Sequence, residues 1–123
     1  VLECQKLGLN ACWVAITHGK TKAKTEKGQK LLIVIALGYG ETHGVPHKSK
    51  SMAELSKADE NAEWFTKGME AVCLAPTAVN QQKFLFELKN GVVTAKALMG
   101  FYSKTDLGIA KYHFEAVTGH KVK

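Results

Sequence analysis

The sequence predicts an α+β fold, because strand-like and helix-like patterns are both clear but do not alternate along the chain. An Asn-Gly pair at 90–91 separates the strand-like runs 83–89 and 92–98, which is the strongest short-range signal of a β-hairpin. Within 59–76, apolar residues recur every three or four positions, as on the buried face of a helix. A last amphipathic helix stops at Gly119. Together these patterns predict helices packed with one mixed or antiparallel sheet of about four strands.

The N-terminal third of the chain supplies the other two strands. A helical pattern at 1–7 leads through a glycine to a short strand at 11–16, which we expect to be buried. The nearly unbroken apolar run at 31–39 predicts a central strand covered on both faces. The lysine-rich segment 17–30 between them reads as a solvated loop. Because the chain begins inside a helical pattern, we expect residues 1–123 to be the C-terminal part of one incomplete domain.

Two helix starts are marked by polar side chains. Ser51 with Glu54 three residues later matches a capping box and predicts a short helix that reaches about Ser56. The final helix is expected to be capped at Thr105 or Asp106.

Composition restricts the classes of function. The chain has 123 residues, of which 46% are hydrophobic, enough to bury one core. No apolar run approaches the roughly 20 residues that cross a bilayer. The net charge is +6, and every positively charged side chain other than histidine is a lysine. Proteins that recognise nucleic-acid bases favour arginine, whose guanidinium group can donate two parallel hydrogen bonds, so nucleic-acid binding is disfavoured. Attraction for small anions such as nucleotide phosphates stays compatible with this charge, and a general anion-binding module is one possible reading.

The three cysteines do not form a metal or redox motif. Their number is odd and no C-x-x-C pair occurs. We expect Cys12 and Cys73 to be buried, reduced and structural, which indicates a cytoplasmic protein.

Several motifs that could carry chemistry fail on spacing. Gly19-Lys20-Thr21 is like the end of a phosphate-binding loop, but that motif needs a glycine where Val14 stands. His43 and His47 are separated by a glycine and a proline, so they cannot share a helix face as metal ligands. No nucleophile–base pair is visible, and we assign neither a catalytic residue nor a metal site.

Lys48 and Lys50 form the first candidate binding element. They directly precede the predicted cap at Ser51, where free backbone N–H groups and the helix dipole favour an anion. Two lysines at alternate positions of an extended chain point to the same side, which suits a phosphate. The alternative is that both simply face water.

The second candidate element is the amide-rich turn, residues 76–82. Pro76 fixes the backbone, and Asn80, Gln81 and Gln82 add side-chain donors and acceptors that can hold a planar polar ligand edge. The alternative is structural: Thr77 caps one turn of helix and Asn80 hydrogen-bonds the backbone.

Four segments together resemble the nitroreductase-like flavoproteins. Residues 7–14 are similar to the family's "LGLGTCWVG" segment, 35–39 to its "ALGY" strand end, 48–50 to its "K-S-R/K" loop and 75–82 to its "APSxxNxQ" loop. Here the A-P loop follows the C-W strand, which, with the ending 106–115, resembles a subgroup in which the second half of one long chain supplies a loop that a dimer partner supplies elsewhere.

The resemblance implies non-covalent FMN, reduction by NAD(P)H, and delivery of electrons to a nitro-aromatic, quinone or similar acceptor. It implies either a monomer with pseudo-dimeric halves or a homodimer. A second reading is a non-catalytic module of the same fold that binds a ligand or a partner. By resemblance, the lysines hold the phosphate and the other positions contact, cover or fix the ring: Val14, Ala15, Ile16, Lys48, Lys50, Pro76, Thr77, Ala78, Asn80 and Gln82.

The chain departs from the family at three points. Ala15 stands where the family has glycine, so its methyl group crowds backbone approach to the ring. Lys50 replaces an arginine fork with a point charge. The family's N-terminal arginine motif is absent, so we expect the isolated piece to bind FMN weakly.

Overall fold

The computed structural model describes residues 1–19 and 21–123. These group into two compact units, residues 1–46 and residues 47–123. Lys20, part of the predicted solvated loop and of the Gly-Lys-Thr triplet, lies outside the described residues. That the chain is part of one domain stays a prediction.

The unit of residues 1–46 is a one-turn helix followed by a two-stranded antiparallel sheet. Helix α1 spans Leu2–Lys6, strand β1 spans Asn10–Val14 and strand β2 spans Val34–Gly38, with Trp13 opposite Ile35. No described residue of this unit is buried, and Leu37 is 62% exposed. The predicted burial of the first strand and the covering of the second on both faces are therefore wrong for this chain. An apolar run shows that a strand could be covered, but not that a covering layer is present.

The unit of residues 47–123 contains the core. Its elements in chain order are α2 Met52–Leu55, β3 Ser56–Ala58, α3 Glu63–Cys73, a short 3₁₀ turn Ala78–Asn80, β4 Phe84–Lys89, β5 Val92–Ala97 and α4 Ser103–Thr118. The three strands form a mixed sheet in the order β3-β4-β5, in which β3 is parallel to β4 and β4 is antiparallel to β5. The sequence did not predict β3, because its residues Ser-Lys-Ala carry no apolar pattern. The described strands thus form two sheets rather than one.

The hairpin β4–β5 forms as the Asn-Gly pair predicts. Asn90 and Gly91 both have positive φ, +50° and +71°, which suits the tight turns whose twist matches the flanking strands. Leu88 faces Val93 across the ladder. The C-terminal residues extend this sheet, since Val122 forms a parallel bridge with Val93.

Helices α3 and α4 pack together over the sheet. Phe114 of α4 is fully buried and its ring centroid lies 5.7 Å from that of Phe86 in β4. Gly68 of α3 lets this ring approach the helix backbone. The core is apolar and consists mainly of Leu55, Phe65, Met69, Val72, Ala75, Phe84, Phe86, Leu88, Val93, Ala110 and Phe114.

The end of α4 is confirmed, whereas its start is corrected. Gly119 follows the helix in the left-handed conformation, with φ +71°. The helix begins at Ser103 after Tyr102, so neither Thr105 nor Asp106 is the cap. Asp106 instead lies inside the first turn, where it contacts the amide-rich turn.

Candidate functional site

The lysine loop, residues 48–50, and the amide-rich turn lie against each other. The Asn80 side-chain Nδ2 donates to the Lys48 carbonyl at 2.9 Å. The Lys50 Nζ donates to the carbonyls of Gln81 and Gln82 at 3.1 and 3.3 Å. The two candidate elements, separated by more than 20 residues of chain, are therefore brought together.

Gln82 joins the loop to the turn. Its side chain is 97% buried, with Oε1 accepting the Lys50 backbone N–H at 2.7 Å. Its Nε2 donates to the Lys48 carbonyl at 2.9 Å and to Asn80 Oδ1 at 2.8 Å. A buried amide left unsatisfied costs about 1–3 kcal/mol, so these contacts define one arrangement of loop and turn.

The backbone of the amide-rich turn is strained. Val79, Asn80 and Gln82 have φ values of 46°, 52° and 46°. A β-branched residue in this region is an outlier, and such a residue costs of the order of 1–3 kcal/mol. The turn therefore needs contacts from its surroundings to keep its shape.

The structural reading of Thr77 is found in part. Thr77 precedes the 3₁₀ turn, and its carbonyl accepts the Asn80 N–H at 3.1 Å. Its hydroxyl accepts the Gln82 N–H, also at 3.1 Å, rather than capping the turn. Thr77 thus accepts two hydrogen bonds from backbone N–H groups within the same turn.

Asp106 supports the turn from the side of α4, and the sequence did not assign it to the site. Its Oδ1 accepts the Ala78 N–H at 2.9 Å and its Oδ2 accepts the Gln81 Nε2 at 2.8 Å. In the sequence, Asp106 looks like an ordinary helix cap. Only the tertiary fold shows that its partners lie more than 20 residues away.

The predicted capping box is present, but it changes the anion argument. The Glu54 carboxylate accepts the Ser51 N–H at 2.9 Å and the Ser51 hydroxyl at 2.7 Å. The hydroxyl bond, and then the backbone bond, lower the pKa of Glu54. The expected free N–H groups are therefore partly engaged, and α2 has only four residues. Any attraction for an anion rests on the lysine side chains.

The lysine side chains remain accessible. Lys48 and Lys50 are both exposed. An ammonium group has three N–H donors, so the two carbonyl contacts of Lys50 leave one donor for a ligand. The Ser49 hydroxyl donates to the Cys73 carbonyl at 2.7 Å and so holds the loop to the end of α3.

Comparison with known proteins places these elements in a family. Residues 1–118 match the family model described as "Putative TM nitroreductase". The chain belongs to this nitroreductase family.

A crystal structure gives the same fold for this nitroreductase-family chain. The "putative nitroreductase" of Thermotoga maritima superposes with a TM-score of 0.75 at 21% identity, covering 98% of this chain. The prediction of a nitroreductase-like α+β fold is thereby confirmed. The chain spans about half of that protein, 52% of its length. No curated protein gave a match.

The remaining predicted site residues of this nitroreductase-family chain lie in two places. Pro76, Thr77 and Ala78 belong to the amide-rich turn and are half-buried. Val14 ends β1, and Ala15 and Ile16 follow it in the unit of residues 1–46, where Ile16 is 70% exposed. The place of these three residues beside a ring stays a prediction.

The cysteines and histidines form no metal centre in the part of the chain that the structure describes. Cys12 is exposed, so its predicted burial is wrong, because the sheet β1–β2 is not covered on that face. Cys73 is half-buried, and burial raises its pKa, with a smaller contribution from Glu70. His43 is exposed and His47 is half-buried. Among the described helices, none is long and apolar enough to cross a membrane.

Proposed function

We propose that this chain is part of a cytoplasmic FMN-dependent oxidoreductase that transfers electrons from NAD(P)H to a nitro-aromatic, quinone or similar acceptor. One observation carries the proposal beyond family membership. The lysine loop and the amide-rich turn form one hydrogen-bonded unit, with Lys50 donating to the turn and Asn80 donating to the loop. The residues that we propose to bind the phosphate and those that we propose to contact the ring therefore lie side by side.

The donor chemistry fits FMN. Lys48 and the third N–H of Lys50 would hold the phosphate by charge-assisted hydrogen bonds, each worth about 1.5–3 kcal/mol. Pro76, Thr77, Ala78 and Asn80 would contact or cover the ring, and Gln82 would fix the turn. When bound, the isoalloxazine supplies the two-electron chemistry.

The protein residues bind and orient rather than react. The Lys50 ammonium is held at the edge of the turn by two carbonyls, so it does not need to be ordered when an anion arrives. By the family resemblance alone, Val14, Ala15 and Ile16 would contact the ring, and the methyl group of Ala15 would then narrow the approach of the backbone to it. No side chain of this chain is assigned as a proton donor.

A non-catalytic ligand-binding or interaction module is the second candidate, because the contacts of Lys50 also suit a purely structural lysine. Its ammonium already satisfies two carbonyls and can act as a purely structural cation. The colour of the purified full-length protein distinguishes the enzyme from the non-catalytic module. A yellow full-length protein that NAD(P)H bleaches supports the enzyme, and a colourless one that ignores added FMN supports the module.

The phosphate assignment is tested by K48A in the full-length protein. Losing one charge-assisted contact should weaken FMN binding by about tenfold to a hundredfold, measured by quenching of flavin fluorescence on titration. K48A with K50A should weaken it further. The matched control for net charge is K57A, which removes a lysine that lies in β3 of the same unit. FMN affinity that is equal in K48A and K57A would contradict the assignment.

A further inference from the structure

We propose that Asp106 is a positioning residue that holds the amide-rich turn in the conformation that receives the flavin. The inference rests on the proposed function and deepens it, because it adds a residue of α4 to the support of that site.

Asp106 accepts two hydrogen bonds from the turn. It lies in the first turn of α4 and is 97% buried. One carboxylate oxygen accepts the Ala78 N–H and the other accepts the Gln81 side-chain amide, at 2.9 and 2.8 Å. Ala78 and Gln81 bracket Val79 and Asn80, the two residues at consecutive left-handed positions.

A carboxylate satisfies both donors at this position as they are oriented in the structure. Both partners are donors, so the group between them must present two acceptors. Asparagine has the same shape but offers one acceptor and one donor, so in this arrangement it would leave one partly buried N–H facing another. The start of the 16-residue helix α4 also favours the negative charge.

The Gln81 side chain that donates to this carboxylate has further contacts of its own. Its Nε2 also donates to the Phe101 carbonyl. A Cβ on Gly100 would lie 2.6 Å from the Gln81 Oε1, so the chain around Gly100 fits against this amide. The bond from Gln81 to Asp106 therefore connects the turn to a tightly packed part of the unit.

The turn that Asp106 holds is itself hydrogen-bonded to the lysine loop. The Asn80 side chain reaches the Lys48 carbonyl from its left-handed backbone position, and Gln82 accepts the Lys50 N–H two residues later. If the turn relaxes, Asn80 and Gln82 move, and with them the spacing between the lysines and the ring-contacting residues. Asp106 thus acts on the flavin through the turn and without touching it.

The test is D106N in the full-length protein, with D59N as the matched control. Asp59 also accepts a backbone N–H, from Asn90 at 3.1 Å, but at the β4–β5 hairpin. We expect D106N to raise amide hydrogen exchange at Ala78 and to weaken FMN binding, each by about tenfold or more. We also expect a shifted flavin absorption band, with exchange in β4 and β5 unchanged. D59N should leave all these quantities at the parent values.

The outcomes separate the inference from the function on which it rests. Unchanged exchange at Ala78 in D106N would overturn the inference, and so would faster exchange with unchanged FMN affinity and spectrum. A parent protein that binds no FMN would refute the proposed function, whereas exchange at Ala78 would still decide whether Asp106 holds the turn. If D106N does not fold, Q81M removes one of the two Asp106 contacts, together with the bond to the Phe101 carbonyl, and leaves the contact of Asp106 with Ala78; it should raise exchange at Ala78 and weaken FMN binding by less than D106N would.

Discussion

At the scale of single residues, His113 shows how partial burial controls an ionisable group. It lies on α4, half-buried, with its Nδ1 3.2 Å from the Ala71 carbonyl of α3. Burial lowers the pKa of His113 from its ordinary value of 6.5, and the hydrogen bond to Ala71 opposes this only in part. The neutral imidazole is thus the form that suits the folded protein.

This lowered pKa predicts a pH-dependent stability. Below about pH 6.5 the unfolded chain binds a proton at His113 before the folded chain does, so the free energy of unfolding should fall as the pH drops through this range. Above it, the contribution of His113 is complete. Urea unfolding at pH 7.5 and pH 5 measures the difference, which H113Q should reduce. The control is H43Q, which removes a histidine from an exposed loop instead of from the α3–α4 contact. An equal pH dependence in H113Q and the parent would contradict the prediction.

Single residues also show where reading the sequence succeeds and fails. The contact between the lysine loop and the amide-rich turn joins two elements that local charge and amide groups mark in the sequence, while their role in binding a flavin stays a prediction. Asp106 could not be assigned to the turn, because its role depends on a contact with Ala78 that spans 28 positions of sequence. A side chain that serves distant backbone groups has no local signature.

At the scale of secondary-structure elements, the close approach of α3 and α4 depends on Gly68. A Cβ at this position would lie 2.3 Å from a ring carbon of Phe114. That ring is fully buried and is itself packed against Phe65 and Phe86, so it cannot swing away freely. The missing side chain of Gly68 is therefore part of the packing.

Substituting two helical glycines should give opposite effects. G68A should lower the free energy of unfolding by about 1–3 kcal/mol through overpacking. G108A is the matched control in α4, because nothing lies within 4 Å of its Cβ position and the residue is exposed. It should raise stability by about 0.5–1 kcal/mol through helix propensity. Chemical denaturation measures both values. A G68A protein as stable as G108A would show that Phe114 is not confined as described.

The elements that could be predicted are those with a strong local signal. The hairpin β4–β5 follows from the Asn-Gly pair, and α3 follows from its apolar spacing. Strand β3 was missed because its three residues are held by pairing with Phe86 and its neighbours rather than by their own preference. The start of α4 that the sequence predicts, at Thr105 or Asp106, is too late, because Tyr102 in a left-handed conformation is not a usual cap.

At the scale of the whole molecule, burial is unevenly distributed. The twelve residues of the main core cluster all lie between Leu55 and Val122. In the unit of residues 1–46, apolar side chains such as Leu37 and Tyr39 are 62% and 86% exposed. The two apolar strands that the sequence predicts are present. The apolar pattern of a strand does not tell whether another layer of protein packs against it.

This distribution predicts unequal protection from hydrogen exchange in the chain of residues 1–123. Amides of the β1–β2 ladder, such as those around Trp13 and Ile35, should exchange faster than those of the β4–β5 ladder around Phe86 by roughly an order of magnitude or more, because two-stranded sheets without a buried face are only marginally stable. Exchange followed by mass spectrometry of peptides from each ladder measures the ratio. The β4–β5 peptides are the internal control, since Phe86 is fully buried. Equal protection of the two ladders would mean that the unit of residues 1–46 is stabilised by a surface that covers Ile35 and Leu37 in solution.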